Sequence, residues 1–258
     1  MATPVLHVDW SGAGARLLLV HGSFVDPAEV WLRQAPLAER FRVGVVHRRG
    51  FGRSPQPDGR VDFERDGADL AALLDEPAHL VGHSYGGIAG LLAAARRPDG
   101  VRSLAVIEPP AFALAPNDPA VRELRARLAR VFASRAAPRT LYGDFLAAWG
   151  FNRPADEWLA RQNQRALDSS ATERPPWEAR PPLAELAAAP FRKLVVRGDW
   201  SRAPAAAREL AGHAFAAVCD VVERDLLAER AVIPGASHSP QLLGRPFNDT
   251  VSAFAEGS

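Results

Sequence analysis

Residues 79–95 read HLVGHSYGGIAGLLAAA, with the pattern Gly-x-Ser-x-Gly at positions 82–86. The apolar run at 79–81 predicts a short buried strand, and the small apolar residues at 88–95 predict a helix. A serine at a sharp turn between a strand and a helix holds its hydroxyl clear of the backbone, and glycines beside it let the two elements pass closely. The unpaired N–H groups at the start of the helix point toward the same serine. We therefore predict that Ser84 is a nucleophile.

Further short apolar runs flank this stretch, and each ends in glycine, proline or a polar cluster. They lie at residues 17–20, 43–46, 104–107, 194–196 and 231–233. Segments of helical length separate several of these runs, for example at 66–74 and 215–222. Residues 5–10 alternate between apolar and polar side chains, which predicts an opening hairpin or meander with 17–20. Short buried strands that alternate with helices predict an α/β fold, with a mostly parallel central sheet and helices on both faces.

The alternation stops between residues 112 and 186, where one helical pattern follows another. Apolar residues at helical spacing begin near Val121, and a third helix of this region is predicted over 158–167. We interpret residues 112–186 as a helical insertion, laid as a cap over one edge of the sheet. The α/β core then comprises residues 1–111 and 187–258.

The composition is that of a folded globular protein. Of the 258 residues, 47% are hydrophobic and 24% are charged, which excludes disorder and a coiled coil. The 31 basic and 30 acidic residues nearly cancel, so the net charge of +1 gives no reason to expect nucleic acid or a membrane as a partner. Cys219 is the single cysteine, which excludes an internal disulfide and a thiolate metal cluster. Because we see no signal-peptide pattern and no apolar run of about 20 residues, we expect a cytoplasmic protein.

A serine hydroxyl is a poor nucleophile at neutral pH and needs a base within hydrogen-bonding reach. Among the 7 histidines, His238 is the best candidate, because it follows the last predicted strand in a loop that can reach over the sheet. His83 adjoins Ser84 in sequence but should point away from it at the turn. The histidines fall at no metal-ligand spacing and no nucleotide-binding glycine motif is present, so we expect no metal and no cofactor.

Together with the Gly-x-Ser-x-Gly motif, three further blocks resemble the α/β-hydrolase superfamily over nearly the whole chain. LLVHGS at 18–23 resembles the family's strand and oxyanion loop, with His21 as its structural histidine. HRRGFGRS at 47–54 resembles its D-R-R-G-x-G-R-S segment, with His47 in place of the aspartate. IPGASH at 233–238 resembles the final strand and the loop that bears the catalytic histidine. The predicted insertion lies where the family inserts its cap.

Two carboxylates are candidates for the acid that orients His238. The commonest family arrangement puts an aspartate after the penultimate strand, often as G-x-x-D. Here GDWS at 198–201 puts a serine at that position and Asp199 two residues early. Glu108 directly follows a buried apolar run, at the sheet edge that carries Ser84. This resembles the subset of the superfamily that includes some haloalkane dehalogenases and the fungal zearalenone lactonases. We favour Glu108, with Asp199 as the alternative.

The resemblance also implies the groups that surround a substrate. The oxyanion donors should be the backbone N–H groups of Tyr85, just after the nucleophile, and Ser23, just after the His-Gly pair. Phe24 would then line the substrate pocket. We expect aromatic side chains of the insertion to join it. These are Phe112, Trp149, Phe151 and Trp158.

The expected activity is that of a cofactor-free serine hydrolase in which Ser84, His238 and Glu108 form a triad. A small carboxylic ester or lactone is the expected substrate. The same machinery serves thioester hydrolysis, acyl transfer or C–C bond hydrolysis, and a non-catalytic ligand-binding homologue is the remaining alternative. The serine excludes haloalkane dehalogenase and epoxide hydrolase activity, because those enzymes need an aspartate to attack an alkyl carbon. The sequence does not indicate the oligomeric state.

Overall fold

The computed structural model describes residues 6–257, which form a seven-stranded sheet flanked by helices. The strands are β1 (Val8–Ser11), β2 (Arg16–Val20), β3 (Arg42–Val46), β4 (Ala78–His83), β5 (Val101–Ile107), β6 (Arg192–Gly198) and β7 (Glu229–Ile233). Their order across the sheet is β1-β3-β2-β4-β5-β6-β7. β1 runs antiparallel to β3, and the other neighbours are parallel. The predicted α/β fold with a mostly parallel sheet is therefore confirmed.

Helices fill most of the connections between the strands. They are α1 (Pro27–Val30), α2 (Phe63–Ala72), α3 (Tyr85–Arg96), α4 (Pro119–Ala133), α5 (Pro138–Ala148), α6 (Asp156–Ala160), α7 (Gln164–Ala171), α8 (Leu183–Ala188), α9 (Ala205–Ala207), α10 (His213–Leu226) and α11 (Arg245–Glu256). The described 3-10 helices include Leu32–Glu39, Phe112–Leu114, Pro176–Glu178 and Pro240–Leu243. In the described part of the chain, no helix combines the length and the apolar character needed to cross a bilayer.

The central strands are apolar on both faces because both faces are covered. Along β2, Leu18 and Val20 enter the core shared with α2, α3 and α10. Leu17 and Leu19 point the other way, into the core that Phe247 and its neighbours in α11 complete. Since successive side chains of a strand alternate between faces, one short apolar run supplies both layers.

The predicted pairing of the first two strands is wrong. β1 pairs with β3, from Val8 opposite Val46 to Ser11 opposite Val43, and β3 lies between β1 and β2. Every residue of β2 is buried, so this strand takes a central position, whereas β1 is half-buried to exposed and takes the edge. Residue 5, the start of the predicted strand, lies outside the described residues.

Every regular element described between β5 and β6 is helical, but the third predicted helix is divided. The predicted span 158–167 contains the end of α6 and the start of α7, with a break between them. Asn163 causes the second start, because its side chain accepts a hydrogen bond from the Ala166 N–H and so caps α7. α4 packs on α10, which anchors the helical segment to the core, and α5 packs on α7 within the segment.

Candidate active site

Ser84 lies at the turn between β4 and α3 in a backbone conformation that side chains rarely adopt, with φ +54° and ψ −122°. Two close approaches make this turn possible. A Cβ atom at Gly82 would lie 2.5 Å from the Gly86 carbonyl oxygen, and one at Gly86 would lie 2.4 Å from the His21 carbonyl oxygen. The Ser84 N–H donates to the Ile107 carbonyl at 2.8 Å, which ties the turn to β5. The predicted strand–turn–helix setting of this serine is therefore present.

His238 lies in the loop after β7, and its side chain lines the same cavity as Ser84. Its Nδ1 lies 3.0 Å from Glu108 Oε2. Trp149 packs edge-on against the imidazole at 4.6 Å between ring centroids, and Phe215 packs at 4.3 Å. Burial among these rings lowers the pKa of His238 to about 3. At neutral pH the imidazole is therefore uncharged and able to accept a proton.

The side chain of His83 contributes to this arrangement by binding the backbone of the loop that bears His238. Its Nε2–H donates to the His238 carbonyl at 2.9 Å, and the two rings lie 4.8 Å apart. Burial lowers the pKa of His83 well below its usual range, so this side chain stays neutral. From the sequence we expected His83 to point away from Ser84 and assigned it no role. The structure shows that it holds the histidine loop.

Glu108 follows β5 directly, with φ +41° and a fully buried side chain. Its Oε1 accepts hydrogen bonds from the Gly198 N–H at 2.9 Å and from the Trp200 indole N–H at 3.0 Å. Its Oε2 faces His238. Burial raises the pKa of Glu108 to about 8, although the two N–H donors and the charge of Arg197 oppose the shift. Strands β5 and β6 are parallel neighbours, so their carboxyl ends bring these groups together.

Asp199, the alternative acid, is occupied elsewhere. Its Oδ1 accepts from the Ser201 N–H at 3.0 Å, from the Ser201 hydroxyl at 2.8 Å and from the Gly235 N–H at 2.9 Å. These bonds, led by the Ser201 N–H, lower the pKa of Asp199. The carboxylate thus fixes the turn after β6 and the start of the histidine loop. Of the two candidates, Glu108 is the one that contacts His238.

The two predicted oxyanion donors flank Ser84. Tyr85 is the first residue of α3, and Ser23 lies in the loop after β2. Within residues 6–257, neither backbone N–H has a protein acceptor. The next N–H group along the loop, that of Phe24, donates instead to the Ser170 hydroxyl at 2.7 Å. Phe24 has φ +59°, so the loop turns sharply there and leaves the Ser23 N–H unpaired.

A buried ionic network supports the loop that bears Ser23 and Phe24. Arg48 Nη1 binds Asp66 Oδ2 at 2.7 Å, and its Nη2 binds Glu173 Oε1 at 2.5 Å. The same guanidinium donates to the carbonyls of residues 21 and 22, both at 3.0 Å. The other oxygen of Glu173 accepts the hydroxyl proton of Ser23. Burial raises the pKa of Glu173, and the adjacent Arg48 opposes that shift.

Sequence reasoning missed Glu173 and Ser170, which lie in or just after α7 and grip the loop that bears Ser23 and Phe24. No motif marks them, since Glu173 is separated from Ser23 by 150 positions. The arginines of the HRRGFGRS block were the one available signal. An arginine placed in a core requires carboxylates from elsewhere in the chain.

Two cavities meet at Ser84. The first, the outer cavity, has a volume of about 320 Å³, and its lining includes His238, Phe151 and the exposed Leu242. The second, the inner cavity, has a volume of about 20 Å³, and its lining includes Phe24 and Phe112. Trp149 lines both. Trp158, also predicted for the pocket, is in the lining of neither. It packs behind Tyr142, at 5.7 Å between ring centroids, with 37% of its surface exposed.

A separate cluster of His7, Asp9 and His47 has potential ligand atoms within 4.8 Å of one another. Its hydrogen bonds do not suit a metal ion. His47 Nδ1 accepts the Arg53 N–H at 3.0 Å, so the proton of the neutral imidazole lies on Nε2, which donates to Asp9 at 2.8 Å. The Arg53 guanidinium also pairs with Asp9. A ligating nitrogen would have to give up its proton, so the cluster is better described as a hydrogen-bonded edge of the sheet.

Comparison with known proteins places the chain among hydrolases. The model of the family described as the alpha/beta hydrolase family matches residues 17–253. A pimeloyl-[acyl-carrier protein] methyl ester esterase of Aeromonas hydrophila subsp. hydrophila is 32% identical over 189 residues, which cover 70% of this chain and 67% of that protein. A fluoroacetate dehalogenase of Burkholderia sp is 39% identical over 107 residues, 38% of this chain and 35% of that protein. That match therefore spans about a third of the dehalogenase.

Solved structures share the fold over nearly the whole chain. A thermophilic esterase from Thermogutta terrifontis has a TM-score of 0.68 and 23% identity, with 98% of this chain and 92% of that chain covered. Est816, described as an N-acyl homoserine lactone degrading enzyme, has a TM-score of 0.65 and 22% identity, with 96% of each chain covered. At these identities the likeness concerns the fold alone.

Proposed function

The chain belongs to the alpha/beta hydrolase family, and we propose that it is a serine hydrolase that cleaves a small carboxylic ester or lactone through an acyl-enzyme on Ser84. The observation that carries the proposal is the hydrogen bond between Glu108 and His238 beside the strained turn of Ser84. A buried carboxylate held against one ring nitrogen fixes the imidazole tautomer and leaves the other nitrogen to act as a base.

In the first half-reaction, Ser84 Oγ attacks the carbonyl carbon while His238 Nε2 takes the hydroxyl proton. The bond from carbon to the leaving alcohol oxygen then breaks, and the imidazolium returns the proton to that oxygen. Glu108 stabilises the imidazolium through Nδ1–H. In the second half-reaction, water adds to the acyl-enzyme with the same proton transfers, which release the acid and restore the serine.

The negative charge on the carbonyl oxygen would be stabilised by the backbone N–H groups of Ser23 and Tyr85. Two aimed donors in a water-poor site are a large part of acyl-transfer catalysis, and removal of one such donor typically costs about 10²–10³ in kcat. The lack of a protein acceptor for either group within residues 6–257 supports this role.

We propose that the helical insertion, residues 112–186, acts as a cap over this site. It supplies Tyr142, Phe145 and Trp149 to the cavities around Ser84, and through Glu173 it holds the oxyanion loop. The names of the relatives, esterases and a lipase among them, agree with ester cleavage. The dehalogenase relative is less informative here, because a serine attacks a carbonyl carbon rather than a carbon–halogen bond.

The test is labelling by a fluorophosphonate probe together with hydrolysis of p-nitrophenyl acetate. We expect the wild type to be labelled and active, and Ser84→Ala to be unlabelled with kcat lower by a factor on the order of 10⁶. Ser134→Ala, which removes an exposed hydroxyl at the end of α4, is the matched control and should behave as wild type. A folded Ser84→Ala protein that keeps its label or its activity would refute the proposal.

A further inference from the structure

The two cavities at Ser84 differ in one respect that concerns the chemistry. His238 lines the outer cavity, whereas the lining of the inner cavity includes Ser23 and Ser84 but not His238. Both cavities therefore reach the nucleophile and the oxyanion loop, but only the outer one reaches the base. This asymmetry determines which part of an ester occupies which cavity.

The carbon under attack has four substituents in the tetrahedral intermediate. One is Ser84 Oγ, and one is the oxyanion that faces Ser23 and Tyr85. The leaving oxygen must receive a proton from His238, so the alcohol part must lie in the outer cavity. The remaining substituent is the acyl chain, and the space left for it is the inner cavity.

The inner cavity is very small and much of its wall is closely packed. A volume of about 20 Å³ holds roughly one water molecule. Phe112 and Leu128 in its wall are 1% and 2% exposed, and Phe132 packs edge-on against Trp177 at 5.9 Å. Enlarging such a close-packed aromatic wall requires several rings to move together.

Among the described residues that line the inner cavity, Glu173 is the one that carries a charge. Its two oxygens bind Arg48 and Ser23, so it offers no free partner to a polar acyl chain. A second carboxylate at the end of an acyl chain would meet Glu173 without a free cation beside it. The inner cavity therefore disfavours acyl chains by length and also by negative charge.

Resting on the proposed serine hydrolase function, we infer that the substrates are esters of a very short, uncharged acyl group, acetyl or propionyl, with a larger alcohol part bound in the outer cavity. Water and the ester give the short acid and the free alcohol. The outer cavity, at about 320 Å³, has room for an aromatic or medium-sized aliphatic alcohol. Its lining by Phe145, Leu146 and Trp149 favours an apolar one.

The direct test is a pair of substrate series with the wild-type enzyme. With p-nitrophenyl acetate, butyrate and octanoate, we expect kcat/KM to fall by at least about tenfold at the first step and further at the second. With methyl, benzyl and naphthylmethyl acetate, whose alcohols have similar leaving ability, we expect kcat/KM to hold or rise as the alcohol grows. Faster cleavage of octanoate than of acetate, or a preference for methyl esters of long acids, would overturn the inference.

A matched pair of leucine variants tests the assignment of the cavities. Leu128→Ala enlarges the inner cavity and should raise the butyrate-to-acetate ratio of kcat/KM by about tenfold. Leu146→Ala enlarges the outer cavity and should leave that ratio unchanged while shifting the preference among alcohols. The reverse pattern would contradict the assignment. Should Leu128→Ala fail to fold, the wild-type series decides alone.

These outcomes are distinct from a failure of the proposed function. If esters of long acids are cleaved in a Ser84-dependent way, the inference about acyl length is wrong and the proposed serine hydrolase function stands. An enzyme that fluorophosphonate does not label at Ser84, and that cleaves no ester of either series, would refute both.

Discussion

Two buried glutamates reach the surroundings of Ser84 from different parts of the molecule. Glu108 belongs to the sheet, and its partners are neutral N–H donors and the imidazole of His238. Glu173 belongs to the helical insertion, and its partners are the guanidinium of Arg48 and a serine hydroxyl. One carboxylate faces a group that gains and loses a proton, and the other faces a group that never does.

In the proposed reaction Glu108 orients the base and stabilises its charged form, whereas Glu173 holds the loop that bears Ser23. Because the described partners of Glu108 include no permanent cation, the protonation of its carboxyl and that of the His238 imidazole depend on each other. Glu173 binds Arg48, a permanent cation, and acts as a fixed clamp between Arg48 and the loop that bears Ser23. The following variants sharpen or break that distinction.

The largest effect is expected for Glu108→Gln. The amide N–H₂ facing Nδ1 would force the other imidazole tautomer and put a proton on the nitrogen that should act as the base. We expect kcat to fall by about 10⁴ with the fold unchanged by circular dichroism. The matched control is Asp199→Asn, which keeps an Oδ1 for all three of the present bonds and should retain near wild-type kcat. A severe loss in the control alone would reverse the roles of the two acids.

The second-largest effect is expected for Glu173→Ala, which should lower the stability of the fold. The change leaves Arg48 buried with one carboxylate instead of two, which should lower the free energy of unfolding by about 3–5 kcal/mol in urea melts. We expect kcat to fall by less than in Glu108→Gln. Glu178→Ala, on the exposed side of the next turn, removes only a surface pair and should change stability by less than about 1 kcal/mol. Equal stability of the two variants would contradict a clamp.

The third effect is a pH dependence that Glu108 produces and Glu173 does not. Burial raises the pKa of Glu108 to about 8 and lowers that of His238, so a proton taken up as the pH falls goes to the carboxyl. The protonated carboxyl donates to Nδ1 and disables the base. We expect kcat/KM on an uncharged ester to fall about tenfold per unit below the apparent pKa of the pair. Full activity at pH 6 would contradict this.

The same raised pKa has a consequence for folding. The folded state holds the Glu108 proton more tightly than the unfolded chain, whose value is near 4.5. The contribution to stability is therefore complete below pH 4.5 and is lost as the pH rises through about 8. Compared with Glu108→Gln at each pH, the wild type should lose stability over this range.

The smallest effect is expected for Ser23→Ala. The variant removes the hydroxyl that Glu173 accepts but keeps the backbone N–H proposed as an oxyanion donor. We expect the free energy of unfolding to fall by about 1 kcal/mol and kcat to change by less than tenfold. A loss in kcat as large as that of Glu108→Gln would mean that the hydroxyl itself takes part in the reaction.

The sequence predicted the groups that sit at the ends of strands. Ser84, Glu108 and His238 each follow a strand of a parallel sheet, and the carboxyl ends of such strands meet at one edge. Glu173 does not follow a strand. The packing of a helix in the insertion brings it to Ser23, and no local sequence pattern predicts that packing. The pairing of β1 failed for a related reason. Which strand becomes the edge depends on burial across the whole sheet, not on proximity in the chain.

The outer cavity, which opens beside Leu242, has a consequence for what leaves the enzyme. In the proposed reaction the alcohol departs first, and the acyl group stays on Ser84 beside an emptied, apolar space. Water must enter that space to finish the reaction. An alcohol or amine in the medium can enter as well, and His238 would activate each in the same way. The products are then set by kinetic partitioning of one common intermediate. In a medium rich in a hydrophobic alcohol, the protein would convert one ester into another and release little acid.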